Sequence, residues 1–143
     1  MVLPNDLFLK KLSQKDQRIA ADILRLKKQK DVLILAHNYQ REGVQLIADF
    51  LGDSLGLAKS ATNASQNNII LAGVRFMAET AKVLNTNKRI HFPGKGSLCR
   101  MAAYLKADMI REYKLRNPTI PIVLYINSTA ESKTMADIVC TSS

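Results

Sequence analysis

Short apolar runs alternate along this chain with longer stretches of helical spacing. Leu12, Ile19, Ile23 and Leu26 recur at such spacing, so residues 6–29 predict a helix or a helix pair. VLILA (32–36) is short, apolar and followed by the polar corner HNYQ, the pattern of a buried strand. GVQLIADFL (43–51) and SLGLAKSATNA (54–64) read as helices broken around Gly52. NIILAG (68–73) is a second strand and FMAETAKVLN (76–85) a helix that ends in the polar NTNK. RIHF (89–92) is a third, weaker strand, stopped by Pro93 and Gly94. CRMAAYLKADMIREYKLR (99–116) reads as one long helix, closed by Asn117 and Pro118. IVLYI (122–126) is a fourth strand, Ser128 with Glu131 forms a capping box, and DIVCTSS (137–143) begins as a fifth strand. No internal repeat is visible at the level of sequence.

Strands that alternate with helices over short links predict an α/β fold, three layers deep (α/β/α), around a short, mostly parallel sheet. Such sheets bind ligands beyond the carboxyl ends of their strands. HNYQ (37–40) occupies one such end, and so do Gly73, Asn127, Ser128 and residues 141–143. Hydroxyl, amide and imidazole groups gathered there suit an oxyanion such as a carboxylate or phosphate. A single histidine after a strand is more often a structural hydrogen-bonder; polar groups at several strand ends weigh against that reading. In GDSLGLA (52–58), Asp53 or Ser54 can cap the next helix, which places Ser54 at a positive helix end. The nucleotide-binding patterns GxGxxG and GxxxxGK[ST] are missing, as are HExxH and any clustered His/Cys ligands for zinc.

Composition narrows the picture further. The 143 residues, 47% of them apolar, are enough for one ordinary domain with a real core. The formal charge of +9 could suggest nucleic acid. Much of it lies in one stretch, on Lys10, Lys11, Lys15, Arg18, Arg25, Lys27, Lys28 and Lys30, with no aromatic residues interleaved. That is the pattern of a solvated basic face on a surface helix, so no nucleic-acid partner is expected. No run of about 18 apolar residues predicts a membrane span, and the N-terminus lacks the order of a signal peptide, so a soluble intracellular protein is expected. Cys99 and Cys140 are too few and too far apart for a disulfide framework. Taken residue by residue, the chain predicts an α/β domain that binds a small anionic metabolite.

Longer strings carry a more specific likeness. AHNYQ, ADFLGDSLGLA, AGVRFMAETAKVLN, CRMA and LYINSTAESKTMADIVCTSS, in this order and spacing, closely resemble the quinolinate synthase family from about residue 30 onward. The resemblance implies condensation of iminoaspartate with dihydroxyacetone phosphate to quinolinate in NAD biosynthesis, with aspartate oxidase as the supplier of iminoaspartate. It implies three similar α/β domains around a 4Fe-4S cluster, each giving one cysteine and leaving one iron open to substrate. On that pattern residues 1–30 are an N-terminal helical segment, 31–118 the first domain and 119–143 the start of the second. His37 matches a histidine that contacts substrate and moves protons, and Tyr39 its tyrosine partner. Ser54 matches a serine that holds a carboxylate or phosphate. Tyr125, Asn127 and Ser142 match substrate-binding residues of the second domain, and Cys99 matches the first cluster ligand. Cys140 has no counterpart among those ligands and is expected to be a core residue of its strand. Leu98 departs from the small residue that the family usually places beside its cysteine. Family members are about twice this length, so the chain is expected to be an N-terminal portion with an exposed last strand, poorly soluble and inactive alone. The cytoplasm or an organelle interior such as the plastid stroma is the expected compartment. The competing reading is a non-catalytic α/β module that binds a phosphorylated or dicarboxylic metabolite.

Overall fold

The computed structural model describes residues 11–141; Ser142 and the first ten residues lie outside them. Helix α1 (Gln14–Gln29) starts at Ser13, whose hydroxyl accepts the Asp16 amide, and carries Lys27 and Lys28 in its last turn. The order then runs β1 (Val32–His37), α2 (Glu42–Ile47), β2 (Phe50–Gly52), α3 (Ser54–Asn63), β3 (Asn68–Ala72), α4 (Arg75–Leu84) and β4 (Arg89–His91). After these come α5 (Arg100–Tyr104), α6 (Ala107–Arg116), β5 (Val123–Tyr125), α7 (Ala130–Thr134) and β6 (Ile138–Cys140).

Strands β1 to β4 form one parallel sheet in the order β2-β1-β3-β4, and β5 pairs with β6, also in parallel. β1 is central, and Leu33, Ile34, Leu35 and Ala36 are all buried, which accounts for its unbroken apolar run. Alternation divides its side chains between two cores. Leu33 and Leu35 join Leu57, Ala61, Ile69, Leu71, Phe76 and Met77 of the α3/α4 side. Ile34 joins Ala20 and Ile47 under α1 and α2. Helices therefore cover both faces, and the three-layer α/β/α expectation holds.

Local details depart from the pattern-based expectation at several points. Residues 43–51 are not one helix: α2 stops at Ile47 and β2 follows. The cause is Asp49, whose carboxylate accepts the Ile34 amide (2.8 Å) and the Lys27 ammonium (2.9 Å) and so holds the chain extended beside β1. Residues 99–116 likewise form two helices. The Leu105 carbonyl accepts the buried Ser132 hydroxyl (2.7 Å), and Leu105 and Lys106 are extended between α5 and α6. The cap of α7 is Thr129, which accepts the Ser132 amide, whereas the Ser128 hydroxyl turns back to the Tyr125 carbonyl. Cys140 does lie on a strand, but all three residues of β6 are exposed, so it is not a core residue. Among the described residues β6 is paired only with β5, and its three residues are exposed.

A structural repeat underlies this layout. Leu35 pairs with Phe50, and Val123 with Ile138, so the second parallel pair lies 88 positions after the first. At the same offset Asp137 repeats Asp49: it accepts the Ile122 amide (2.8 Å) and the Lys114 ammonium (2.6 Å). The amide of Asn38 donates to the Gly52 carbonyl, and that of Ile126 to the Cys140 carbonyl. Between 32–54 and 120–142 the sequence keeps only Ile34/Ile122, Ala48/Ala136, Asp49/Asp137 and Ser54/Ser142, too little for a repeat to be read from sequence.

Hydrogen bonds from Lys114 and the Ile122 amide hold the Asp137 carboxyl below its ordinary value of 3.8. A depressed carboxyl stabilises the fold above its unfolded value and loses that contribution as pH falls through its folded value. The β5–β6 pair should therefore stay protected down to pH 3.8 and open only below it. Exchange of the Ile122 amide followed against pH checks this; loss of protection already near pH 5 would refute it.

Candidate active site

β1 delivers His37 to the carboxyl edge of the sheet, where the chain turns through Asn38, Tyr39 and Gln40. The turn is held from behind by Gln45 of α2, whose amide donates to the carbonyls of Asn38 (2.9 Å) and Gln40 (2.8 Å). The pattern of the chain did not mark Gln45; the only signal was a polar residue between the apolar Val44 and Leu46 of a short helix. The Tyr39 amide donates to His37 Nδ1 (3.2 Å), and the two rings meet edge to face with centroids 4.7 Å apart. That bond occupies the Nδ1 lone pair, so neutral His37 carries its proton on Nε2. Burial lowers the His37 pKa from the ordinary 6.5, and the negative charge of Asp53 opposes the shift.

β2 brings the second group. Asp53 caps α3 by accepting the Gly56 amide (2.7 Å), so of the two candidate caps Asp53 is the one used. Ser54 is then the first residue of α3, with its hydroxyl free of the capping role.

These two corners and the end of the second sheet enclose a cavity of about 290 Å³, lined by His37, Tyr39, Asp53, Ser54, Leu55, Tyr125, Ile126, Asn127 and Thr141. His37, Tyr39, Ser54, Tyr125 and Asn127, all singled out in the sequence, are thus brought together; Ser142 lies outside the described residues. Asp53, first read only as a possible cap, is the added member. The repeat explains the convergence: Tyr125 and Asn127 stand 88 positions after His37 and Tyr39, at the same two places of the same strand-end turn. The cavity is walled by two copies of one corner. Its groups are mainly neutral donors, with one carboxylate beside the histidine.

A larger groove of about 800 Å³ lies on the α1/α2 side, but Ile23, Ile34, Ile47, Ile70 and Ile90 dominate it and it gathers few polar groups.

Cys99 is not part of the polar cavity. It is a half-buried free thiol at the start of α5, packed against the larger core. Among the described residues no three His, Cys, Asp or Glu side chains gather closely enough to hold a metal ion. Iron–sulfur clusters are held by several thiolates, so these residues fit one corner of such a site and not the whole. No helix among the described residues is long and apolar enough to cross a membrane.

A parallel α/β sheet with donors from several strand ends around one cavity defines an α/β protein with a candidate ligand site at its sheet edge. Comparison with known proteins makes this particular. The sequence model of one family, described as Quinolinate synthetase A protein, matches residues 21–143, and the chain belongs to that family. It is 50% identical over 121 residues to a quinolinate synthase of Thermotoga sp. (strain RQ2), covering 85% of this chain and 41% of that protein. It is 52% identical over 124 residues to the quinolinate synthase of Pyrococcus abyssi, covering 87% and 42%. The quinolinate synthase of Alkaliphilus metalliredigens is 47% identical over 122 residues, covering 85% and 40%. The chain thus spans about two fifths of the length of the curated relatives it matches.

Proposed function

We propose that this chain supplies one part of the active site of a quinolinate synthase, which condenses iminoaspartate with dihydroxyacetone phosphate. The observation that carries the reading is the single cavity into which His37, Tyr39, Ser54, Tyr125 and Asn127 converge from two sheets. Membership of the family supports it. Both substrates are anions, and hydroxyl and amide donors hold anions without adding opposite charge to the site. In this reading Ser54 and Ser142 bind a carboxylate or the phosphate, and Tyr125 and Asn127 bind the substrate from the facing wall. His37, neutral near pH 7, presents Nε2–H to a substrate oxygen, and proton uptake at Nδ1 requires release of the Tyr39 amide. Tyr39 orients the ring and adds a phenol beside it.

The four-stranded unit would be the first domain of the family fold, up to about residue 118, and the β5–β6 pair the start of a second. Cys99 would be one thiolate ligand of a 4Fe-4S cluster whose other ligands come from further parts of the protein. When bound, the cluster supplies an iron with an open position that polarises a substrate oxygen or nitrogen. The supplier of iminoaspartate would be an aspartate oxidase, and the compartment the cytoplasm or an organelle interior.

Anaerobic assay of the full chain for quinolinate and released phosphate tests the reading, and no product from the iron-loaded protein would sink it. The pH profile adds a sharper check. Protonated His37 has no acceptor for the Tyr39 amide, so kcat/KM should fall on the acid side only below pH 6.5. Asp53→Asn keeps the oxygen that caps α3 and removes the charge that raises the His37 pKa, so its acid limb should move to lower pH. An acid limb unchanged in that variant would disconnect His37 from the profile.

A further inference from the structure

The FMAET stretch of α4 lines no part of the cavity, yet it contacts α7, the element that follows the second wall. Glu79 is the centre of this contact. Its Oε2 accepts the amide of Ala130, the first residue of α7 (2.9 Å), while its Oε1 accepts Arg75 Nε (2.9 Å). One turn further, the Lys133 ammonium donates to the buried Thr80 hydroxyl (2.8 Å) and lies 5.8 Å from the centre of the Phe76 ring. Burial lowers the Lys133 pKa, with Glu79 opposing, as expected for a half-buried cation at this contact. On the other side of α7, the fully buried Ser132 holds the Leu105 carbonyl.

Ala130 is three residues after Asn127. A chain pinned at Ala130 leaves the Tyr125–Asn127 wall little freedom to move relative to His37 and Ser54. Among the described residues no β-ladder bonds join the two sheets. Their relative position therefore depends on such side-chain contacts.

We propose that Glu79 is a positioning residue: by accepting the Ala130 amide it sets the spacing between the two walls of the cavity. The acceptor oxygen matters more than the charge, because Arg75 is largely exposed and its ion pair with Glu79 is a surface one. The inference rests on the reading of the cavity as a quinolinate synthase site, and its test separates the two.

Glu79→Ala, Glu79→Gln and Lys133→Met are made in the full chain and followed by amide hydrogen exchange and by steady-state kinetics. In Glu79→Ala the amides of 125–134 should exchange about tenfold faster or more, Ala130 foremost. Its kcat should fall about tenfold or more, since small displacements of positioning groups are costly. Glu79→Gln retains an acceptor and should restore both. Lys133→Met should show the same effects at smaller size, and it decides the matter if Glu79→Ala does not fold. Wild-type exchange at Ala130 in Glu79→Ala, wild-type kinetics in that variant, or a Gln variant as impaired as the Ala one would each overturn the proposal. Wild-type protein that makes no quinolinate overturns the functional reading alone, and the exchange data then decide the docking role.

Discussion

Replacing His37 by alanine is expected to lower kcat of the full chain by about 10²–10⁴-fold, the range for loss of a positioned acid–base group. The ring sits at the end of β1, only partly buried, and is a member of neither core cluster. Its removal frees one backbone amide, that of Tyr39, which is itself exposed and open to water. The fold should therefore survive with a melting temperature close to wild type. The turn 38–40 keeps its two bonds from Gln45, so the other donors of the cavity stay near their places. The loss should thus appear mainly in kcat and only weakly in substrate affinity. Turnover within a factor of about three of wild type would remove His37 from the chemistry.

Lys88→Met is expected to destabilise the fold by about 3 kcal/mol. Lys88 is only 7% exposed, and its ammonium donates to the carbonyls of Ala61 (2.7 Å), Thr62 (3.3 Å) and Ala64. These oxygens belong to the end of α3, where the last carbonyls have no partners within the helix. A cation there also meets the negative end of the helix. Methionine matches the stem in shape and fills the space, so the measured loss reports the ammonium and not a cavity. Bonds from a charged donor contribute roughly 1.5–3 kcal/mol each, and three acceptors would be left bare together. Urea unfolding of wild type and variant gives the difference. A loss below about 0.5 kcal/mol would mean that water reaches the end of α3 and replaces the lysine.

Lys88 also shows what a sequence pattern misses. In the string NTNKRI it reads as one more polar turn residue, because nothing local says that it reaches back 27 positions to Ala61. The same holds for β2. Its residues Phe50 and Leu51 continue the apolar spacing of α2, and helical periodicity describes them well. Only the bonds of Asp49 to Lys27 and Ile34 make the extended form the better one. The split between α5 and α6 has a similar origin in Ser132, which lies 27 residues away from the carbonyl it takes.

The candidate site was more legible than these boundaries. VLILA ending in HNYQ, and IVLYI ending in NS, announce strands whose polar residues begin at the carboxyl edge, and topology places such edges together. Asp53 could be read as a cap of the next helix, though its electrostatic hold on His37 arises only in the folded chain. Gln45 and Glu79 could not be read, because their partners are backbone groups, which leave no mark in the sequence.

By itself, then, the sequence determined the alternation of strands and helices, the burial of β1 and β3, and the donors that line the cavity. These depend on local periodicity and on side-chain chemistry, which the residues carry with them. Tertiary structure alone decided where α2 and α5 end, the 88-residue repeat and the approach of the two walls. Each of these is set by hydrogen bonds between groups far apart in the chain. Such bonds form only when buried backbone groups find partners in three dimensions, and in one dimension they have no period.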